Sequence, residues 1–495
     1  MTLSGFGTRA IHVGSAPSEE TGAVIPPISL ATTYAQSAVG VHKGYEYTRS
    51  GNPNRDQLES LLASLEADGQ YALAFSSGSA TTSVVLQALD RDAHVLSVND
   101  VYGGTFRYMT KVSGLEVSFL DMENADDTVL REAIRPNTKV SNPINPLFVP
   151  PLRILSCLMS YTPLSPALSQ LIWIESPTNP TLRLISIPRI VSIARAHPSN
   201  PLVLVDNTFM SPYYASPLSS GADIVVHSLT KYINGHSDVL MGAAILPARH
   251  SDLAQRLRFL QNAMGCVPSA FDCWLAQRGA KTLHLRMRQH GLNALRVAQF
   301  LQSRVGKEVK DVIYPGLATH PLNDLAYQSL SPHARKWVDS LGDRNANGGF
   351  PYGGMVSFRI MQPTGISTPS SVESDETVPK AHSTAENFLQ ALRLFTLAES
   401  LGGVESLAEL PSLMTHASIP PAERAQLGIG DDLVRLSCGV EDGDDLVQDI
   451  ARGLSLAVNG FAADSKVEAV SAVTKVLEFV NDQKDAQVCV GDSCF

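Results

Sequence analysis

A lysine that follows a buried strand can hold an aldehyde as a Schiff base, and this chain carries one in a setting suited to that chemistry. Lys231 ends the run His227-Ser228-Leu229-Thr230-Lys231, directly after the apolar segment 223–226. The hydroxyls of Ser228 and Thr230 flank it and can bind a phosphate. The preceding apolar run, Leu202-Val203-Leu204-Val205, ends in Asp206. A carboxylate there can keep a pyridine nitrogen protonated, so that the ring accepts electrons from a carbanion; alone, it could equally cap the following turn. Gly78 and Ser79 open a helix whose N–H groups would cradle a phosphate, although Ser-Gly is also a common helix cap. Tyr102, in the run VYGGT, could stack on an aromatic ring or simply occupy a glycine turn. Each signal is modest. Taken together along one chain, they describe a pyridoxal 5′-phosphate (PLP) site with Lys231 as its Schiff-base lysine, Asp206 as partner of the ring nitrogen and Tyr102 as a stacking ring.

The surrounding pattern supplies a frame for such a site. From about Arg55, helical segments (55–67, 79–90) alternate with short apolar strands over 93–97, 171–174, 202–205 and 223–226. Strands that are apolar throughout and separated by helices predict an α/β fold with a mostly parallel, doubly wound sheet. Ligands are then expected at the carboxyl ends of its strands. Residues 1–55, with Pro26 and Pro27 and few helical periods, predict an extended arm that contacts a neighbouring subunit. Residues 56–250 form the cofactor-binding large domain in this scheme. Residues 251–455 form a smaller α+β domain, with a long helical region over 251–305 and half-buried antiparallel strands over 355–360 and 433–437. A Ser/Thr/Pro/Glu-rich surface loop is expected over 361–384, and a helix (465–481) with a loose tail over 456–495.

Composition narrows the class. The 495 residues are 44% hydrophobic and 17% charged, as in ordinary globular chains of two or three domains. A net charge of -10 argues against nucleic acid or an anionic membrane as partner. Six cysteines without framework spacing predict reduced thiols. The N-terminal residues lack the apolar core of a signal peptide, and no run is apolar enough to span a membrane. A cytoplasmic enzyme acting on a small molecule is the expectation. No metal-ligand set is assigned, and Cys489 and Cys494 in the tail are assigned no role.

Longer motifs carry a resemblance. YEYTRSGNPNR (45–55), VYGGTFRY (101–108), IWIESPTNPT (172–181), VDNTF (205–209), HSLTKYINGHSDVLMGA (227–243), RLFTLAESLGGVESLAELPSLMTHASIP (393–420) and DDLVRLSCGVED (431–442) resemble the Cys/Met-metabolism enzymes of PLP fold type I, over roughly residues 5–455. The resemblance implies that Lys231 binds the cofactor aldehyde and shuttles the proton, that Asp206 pairs with the ring nitrogen, and that Asn179 approaches the phenolic oxygen. It implies that Tyr102 stacks and helps deprotonate the incoming amine, and that Gly78, Ser79, Ser228 and Thr230 bind phosphate. Tyr47 and Arg49 would reach the phosphate of a neighbouring subunit in a homotetramer built from dimers. Arg435, with Ser400 and Asn179, would clamp the α-carboxylate of an amino-acid substrate; a structural carboxylate partner is the other possibility for an arginine inside a strand. Glu399 stands where the family's γ-cleaving lyases and γ-synthases carry glutamate, and Gly104 where methionine γ-lyases carry cysteine. These positions imply α,γ-elimination of L-cystathionine to L-cysteine, 2-oxobutanoate and ammonia, with γ-synthase chemistry or another lyase reaction of the family as the alternative.

One segment breaks the pattern. Residues 140–170 hold six prolines and a single charged residue, Arg153, where a short loop is expected. Val140-Ser141 can be encoded as a splice donor and Gln170 as a splice acceptor. A retained intron is therefore the expectation, with a lineage-specific loop as the alternative and an inactive isoform as its possible consequence.

Overall fold

The computed structural model describes residues 4–135, 170–362, 383–417 and 419–459. Seven strands form the first sheet: β1 (Tyr71–Phe75), β2 (His94–Val98), β3 (Glu116–Leu120), β4 (Gln170–Glu175), β5 (Leu202–Asp206), β6 (Ile224–Ser228) and β7 (Gly242–Leu246), in the order β1-β7-β6-β5-β4-β2-β3. All neighbours are parallel except β7, which runs antiparallel to both β1 and β6. Every residue of β2, β4 and β7 is buried, as helices on both faces require. From β2 the chain steps outward to β3, then returns through β4, β5 and β6 in the opposite direction. The reversal leaves a crevice between β2 and β4 at their carboxyl ends, where open α/β sheets bind ligands.

Five more strands form the second sheet: β8 (Val309–Ile313), β9 (Met355–Ile360), β10 (Thr396–Leu397), β11 (Leu407–Glu409) and β12 (Leu433–Ser437), in the order β8-β9-β12-β11-β10. Its pairs are antiparallel except β10 with β11. The strands over 355–360 and 433–437 are not half-buried as their alternation suggests: all five residues of β12 are buried, and all of β9 but Arg359. Helix Leu283–Ser303 packs on this sheet. Toward the first sheet, Ser357 donates to the Pro180 carbonyl at 2.7 Å. The central strands of a sheet sandwiched in this way have no wet face, while the edge strands β8 and β10 keep exposed residues.

Three further expectations need correction. The helical region 251–305 is three helices, Ser251–Met264, Ala270–Ala280 and Leu283–Ser303. Gly265 ends the first by taking φ +71°, a conformation natural to a helix C-terminus. The arm is not wholly extended, because Phe6–His12 forms a short helix that buries Phe6 and Ala10. Strands β1, β3 and β7 fall outside the segments expected from sequence. Of residues 140–170 only Gln170 is described, as the first residue of β4; the expected helix over 465–481 and nearly all of the 361–384 loop also lie outside the described residues. Among the described residues, no helix is long and apolar enough to cross a membrane.

Candidate active site

A cavity of about 260 Å³ opens at the carboxyl ends of β4, β5 and β6. It gathers Gly78, Ser79, Tyr102, Asn179, Asp206, Ser228, Thr230, Lys231, Glu399, Ser400 and Arg435. Of the residues singled out by sequence, only Tyr47 and Arg49 lie elsewhere. Tyr47 is 43% exposed in the arm, with the Arg49 guanidinium 5.7 Å from its ring centre.

Asp206 closes β5, and the parallel register sets Glu175, the last residue of β4, directly beside it. Residues paired across strands share a face, so two carboxyls border the same space. Asp206 accepts the Thr208 N–H at 3.0 Å, and Glu175 accepts the Tyr102 N–H through both oxygens at 3.1 Å. Among the described residues neither forms an ion pair. Burial raises both carboxyls, and the charge of Asp206 raises Glu175 further. Adjacent buried carboxyls resist losing both protons, and a cation brought between them relieves the strain. A protonated ring nitrogen is such a cation.

The phosphate end is built from backbone. Ser77 caps helix Gly78–Gln87 by accepting the Ala80 N–H at 3.0 Å. The N–H groups of Gly78 and Ser79, in the first turn, have no partner inside the helix. Facing them is Ser228, whose Cβ lies 3.4 Å from where a Cβ on Gly78 would stand. β7 passes so close that a Cβ on Gly242 would meet Thr81 Oγ1 at 2.3 Å and the Ser77 carbonyl at 2.6 Å. Only glycine fits there. The Thr230 hydroxyl accepts the Met241 N–H at 3.1 Å and donates weakly to the Met241 carbonyl at 3.3 Å. Its hydrogen can turn to a phosphate by giving up the weaker contact.

Lys231 donates from Nζ to Ser400 Oγ at 2.5 Å. Burial, with Arg435 nearby, lowers its ammonium to about 8. Ser400 is bound at both ends, because its carbonyl accepts Arg435 Nη2 at 2.7 Å. These contacts hold it at φ +97°, a costly conformation for a residue other than glycine. Arg435 is 2% exposed in the middle of β12. Its Nη1 donates to Asn179 Oδ1 at 2.8 Å and approaches Glu409 Oε1 at 2.9 Å. The arginine therefore has the structural carboxylate partner and the cavity position together.

Tyr102 is held by its backbone at the start of helix Gly103–Lys111, with its ring over Gly104, where a Cβ would stand 2.5 Å from the ring. Burial, then the charge of Glu399, raises its phenol, which stays protonated at neutral pH in the isolated chain. A base at this position needs a further cation beside it. Sequence reasoning missed Glu175, Thr208, Glu409 and Thr415, all at or against this cavity. Glu175 had a signal, since it ends an apolar strand as Asp206 does; Glu409 had none outside the fold.

The sequence matches the family described as Cys/Met metabolism PLP-dependent enzyme over residues 7–148, 163–336 and 350–455. The chain belongs to this family. A cystathionine gamma-lyase of Saccharomyces cerevisiae is 45% identical over 460 residues, covering 92% of this chain and 98% of that one. The crystal structure of cystathionine gamma-lyase from yeast superposes with a TM-score of 0.74 at 42% identity, covering 92% of this chain and 99% of that chain. A cystathionine gamma synthase from Xanthomonas oryzae pv. oryzae, solved with cystathionine, gives 0.72 at 35% identity, covering 92% and 99%. The family match breaks between residues 148 and 163, inside the segment whose sequence departs from the pattern. PLP is the family's cofactor, and the site suits it: a carboxyl pair lacking a cation, a lysine with a lowered pKa and a helix N-terminus that accepts a phosphate.

Proposed function

We infer that the chain catalyses the α,γ-elimination of L-cystathionine to L-cysteine, 2-oxobutanoate and ammonia, as a cystathionine gamma-lyase. The observation that carries this is the meeting of Lys231, Arg435 and Glu399 in one cavity of a chain 45% identical to a lyase of that name. PLP, when bound, supplies the electron sink that stabilises a carbanion beside the amino carbon. Asp206 would keep the ring nitrogen protonated, Asn179 would approach the phenolic oxygen, and Gly78, Ser79, Ser228 and Thr230 would hold the phosphate. Tyr102 would stack on the ring. Arg435, with Ser400 and Asn179, anchors the α-carboxylate and so fixes which hydrogen faces Lys231. With its pKa near neutrality, Lys231 can take the α-proton, pass it on, and assist the second deprotonation at Cβ that expels cysteine from Cγ. Glu399 offers a negative charge to the substrate's ammonium groups.

Tyr47 and Arg49 lie outside the chain's own cavity, on an exposed arm, which supports their reaching the phosphate of a second copy in a homotetramer. An arginine arriving there would lower the Tyr102 phenol and let it accept the proton of the incoming amine. The expected compartment is the cytoplasm.

The likeness to a γ-synthase supports a second reading, in which the same site makes cystathionine instead of cleaving it. The deciding experiment supplies L-cystathionine to the purified protein, with and without residues 140–170, and assays thiol and keto acid. Cysteine with 2-oxobutanoate is the expected outcome. Homocysteine with pyruvate would overturn the γ assignment and the role of Glu399. Products from the shortened form alone would make the full chain an inactive isoform. No cleavage by either form would favour the synthase.

A further inference from the structure

The guanidinium of Arg435 has five hydrogens to place. Nη1 gives one to Asn179 Oδ1 and one to Glu409 Oε1, and Nη2 gives one to the Ser400 carbonyl. The remaining Nη2 hydrogen and Nε–H are free, and Nε is buried without a partner. A buried donor left unsatisfied costs stability, unless a ligand is meant to fill it. Nε and Nη2 together form the side edge of the guanidinium, which receives a carboxylate in two parallel hydrogen bonds. The protein holds the Nη1 side of the group with two acceptors, and the Nε–Nη2 edge keeps two hydrogens unplaced.

One of those two acceptors is Glu409. β11 and β12 pair antiparallel with Glu409 directly opposite Arg435, so the two side chains stand on one face. Glu409 is 1% exposed, and the Thr415 hydroxyl donates to the same Oε1 at 2.7 Å. Its other oxygen, Oε2, is buried without a partner. One oxygen thus does the holding, and the second charge-bearing atom has no hydrogen-bond partner.

We propose that Glu409 is a positioning residue for amino-acid recognition: through Oε1, steadied by Thr415, it fixes the Nη1 side of Arg435 and presents the Nε–Nη2 edge to the substrate's α-carboxylate. This rests on the proposed role of Arg435 as the carboxylate anchor. The alternative is that Glu409 merely balances charge. The two differ in sign, because a counter-charge weakens the pull on an incoming anion, whereas a positioning contact strengthens the grip.

The test titrates the PLP-loaded protein with L-alanine and with ethylamine, the same molecule without its carboxylate, following the visible absorbance. The ratio of the two dissociation constants measures what the carboxylate contributes. Arg435→Gln should collapse the ratio; if it does not, the anchor role itself fails. Glu409→Ala should lower the ratio at least about tenfold, the scale of a lost charge-assisted hydrogen bond, and leave ethylamine binding nearly alone. Glu409→Gln keeps an oxygen at Oε1 and places its amide at the unpartnered Oε2, so the ratio should stay within about threefold of the parent. Should Glu409→Ala fail to fold or load cofactor, Thr415→Val, which frees Glu409 to swing, should lower the ratio about threefold. An unchanged or raised ratio in Glu409→Ala or Thr415→Val, or a ratio that moves outside about threefold in Glu409→Gln, would overturn the proposal while the anchor role of Arg435 stands.

Discussion

Covalent capture of the cofactor aldehyde needs the Lys231 amine in its neutral form, so the pH at which capture speeds up reads the environment of that one side chain. Burial, followed by the charge of Arg435, brings the ammonium from 10.5 to about 8, against the opposing pull of Glu409 and Glu399. At pH 7 about one lysine in ten is then neutral, compared with about one in three thousand at the ordinary value, a gain of about 300-fold in competent protein. The assay is rapid mixing of cofactor-free protein with excess PLP from about pH 6 to about pH 10, following the rise of visible absorbance. The logarithm of the rate should climb with unit slope to about pH 8 and then level. Arg435→Met removes the second-largest cause of the shift and leaves Glu409 without its partner, so both changes move the break upward. A parent rate still climbing with unit slope beyond about pH 9.5 would refute the reasoning, since the amine would then behave as if it stood in water.

Two other perturbations test a close approach at the phosphate end and a buried carboxylate away from the site. Gly242→Ala sets a methyl against Thr81, the Ser77 carbonyl and Gly78, so the start of helix Gly78–Gln87 must move; PLP affinity, by fluorescence titration, should fall at least about tenfold, and an unchanged affinity would mean that this helix start does not hold the phosphate. Asp223 is buried, which alone would raise its carboxyl, but hydrogen bonds from His250, Arg195 and the Val203 N–H hold it at about 2. Its contribution is therefore complete above about pH 4 and lost as the pH falls through about 2; Asp223→Asn should cost about 2–3 kcal/mol at pH 7 and about half that at pH 3 in urea unfolding, and an equal cost at both pH values would contradict the linkage.

The chemistry was legible because its residues sit at the ends of the most strongly patterned segments. Asp206 and Lys231 follow short, uniformly apolar strands, whose burial and placement need little tertiary information. β3 was hidden because it is an edge strand, only partly buried, whose Ser and Glu dilute the apolar run. β7, Gly-Ala-Ala-Ile-Leu, is fully buried but opens with small residues that sequence patterns read as a loop. Alternation misled over 355–360 and 433–437 because Ser357 and Arg435 look like solvent-facing positions; they face the other sheet and the cavity instead. Glu409 could not be recognised at all, since its meaning comes from the residue across the ladder, distant in sequence.

The site is stitched from two sheets at two residues: Ser400 meets Lys231 beside the first sheet and Arg435 in the second, and Asn179, which follows β4, accepts a hydrogen bond from Arg435. The groups that handle the cofactor and those that choose the amino acid thus sit on separate frames joined at these two residues. Such a division lets selection rework one without rebuilding the other. A chain of this design can acquire a new substrate by altering the second sheet and its loops while its electron chemistry is inherited intact. The residues least free to drift are the two that belong to both.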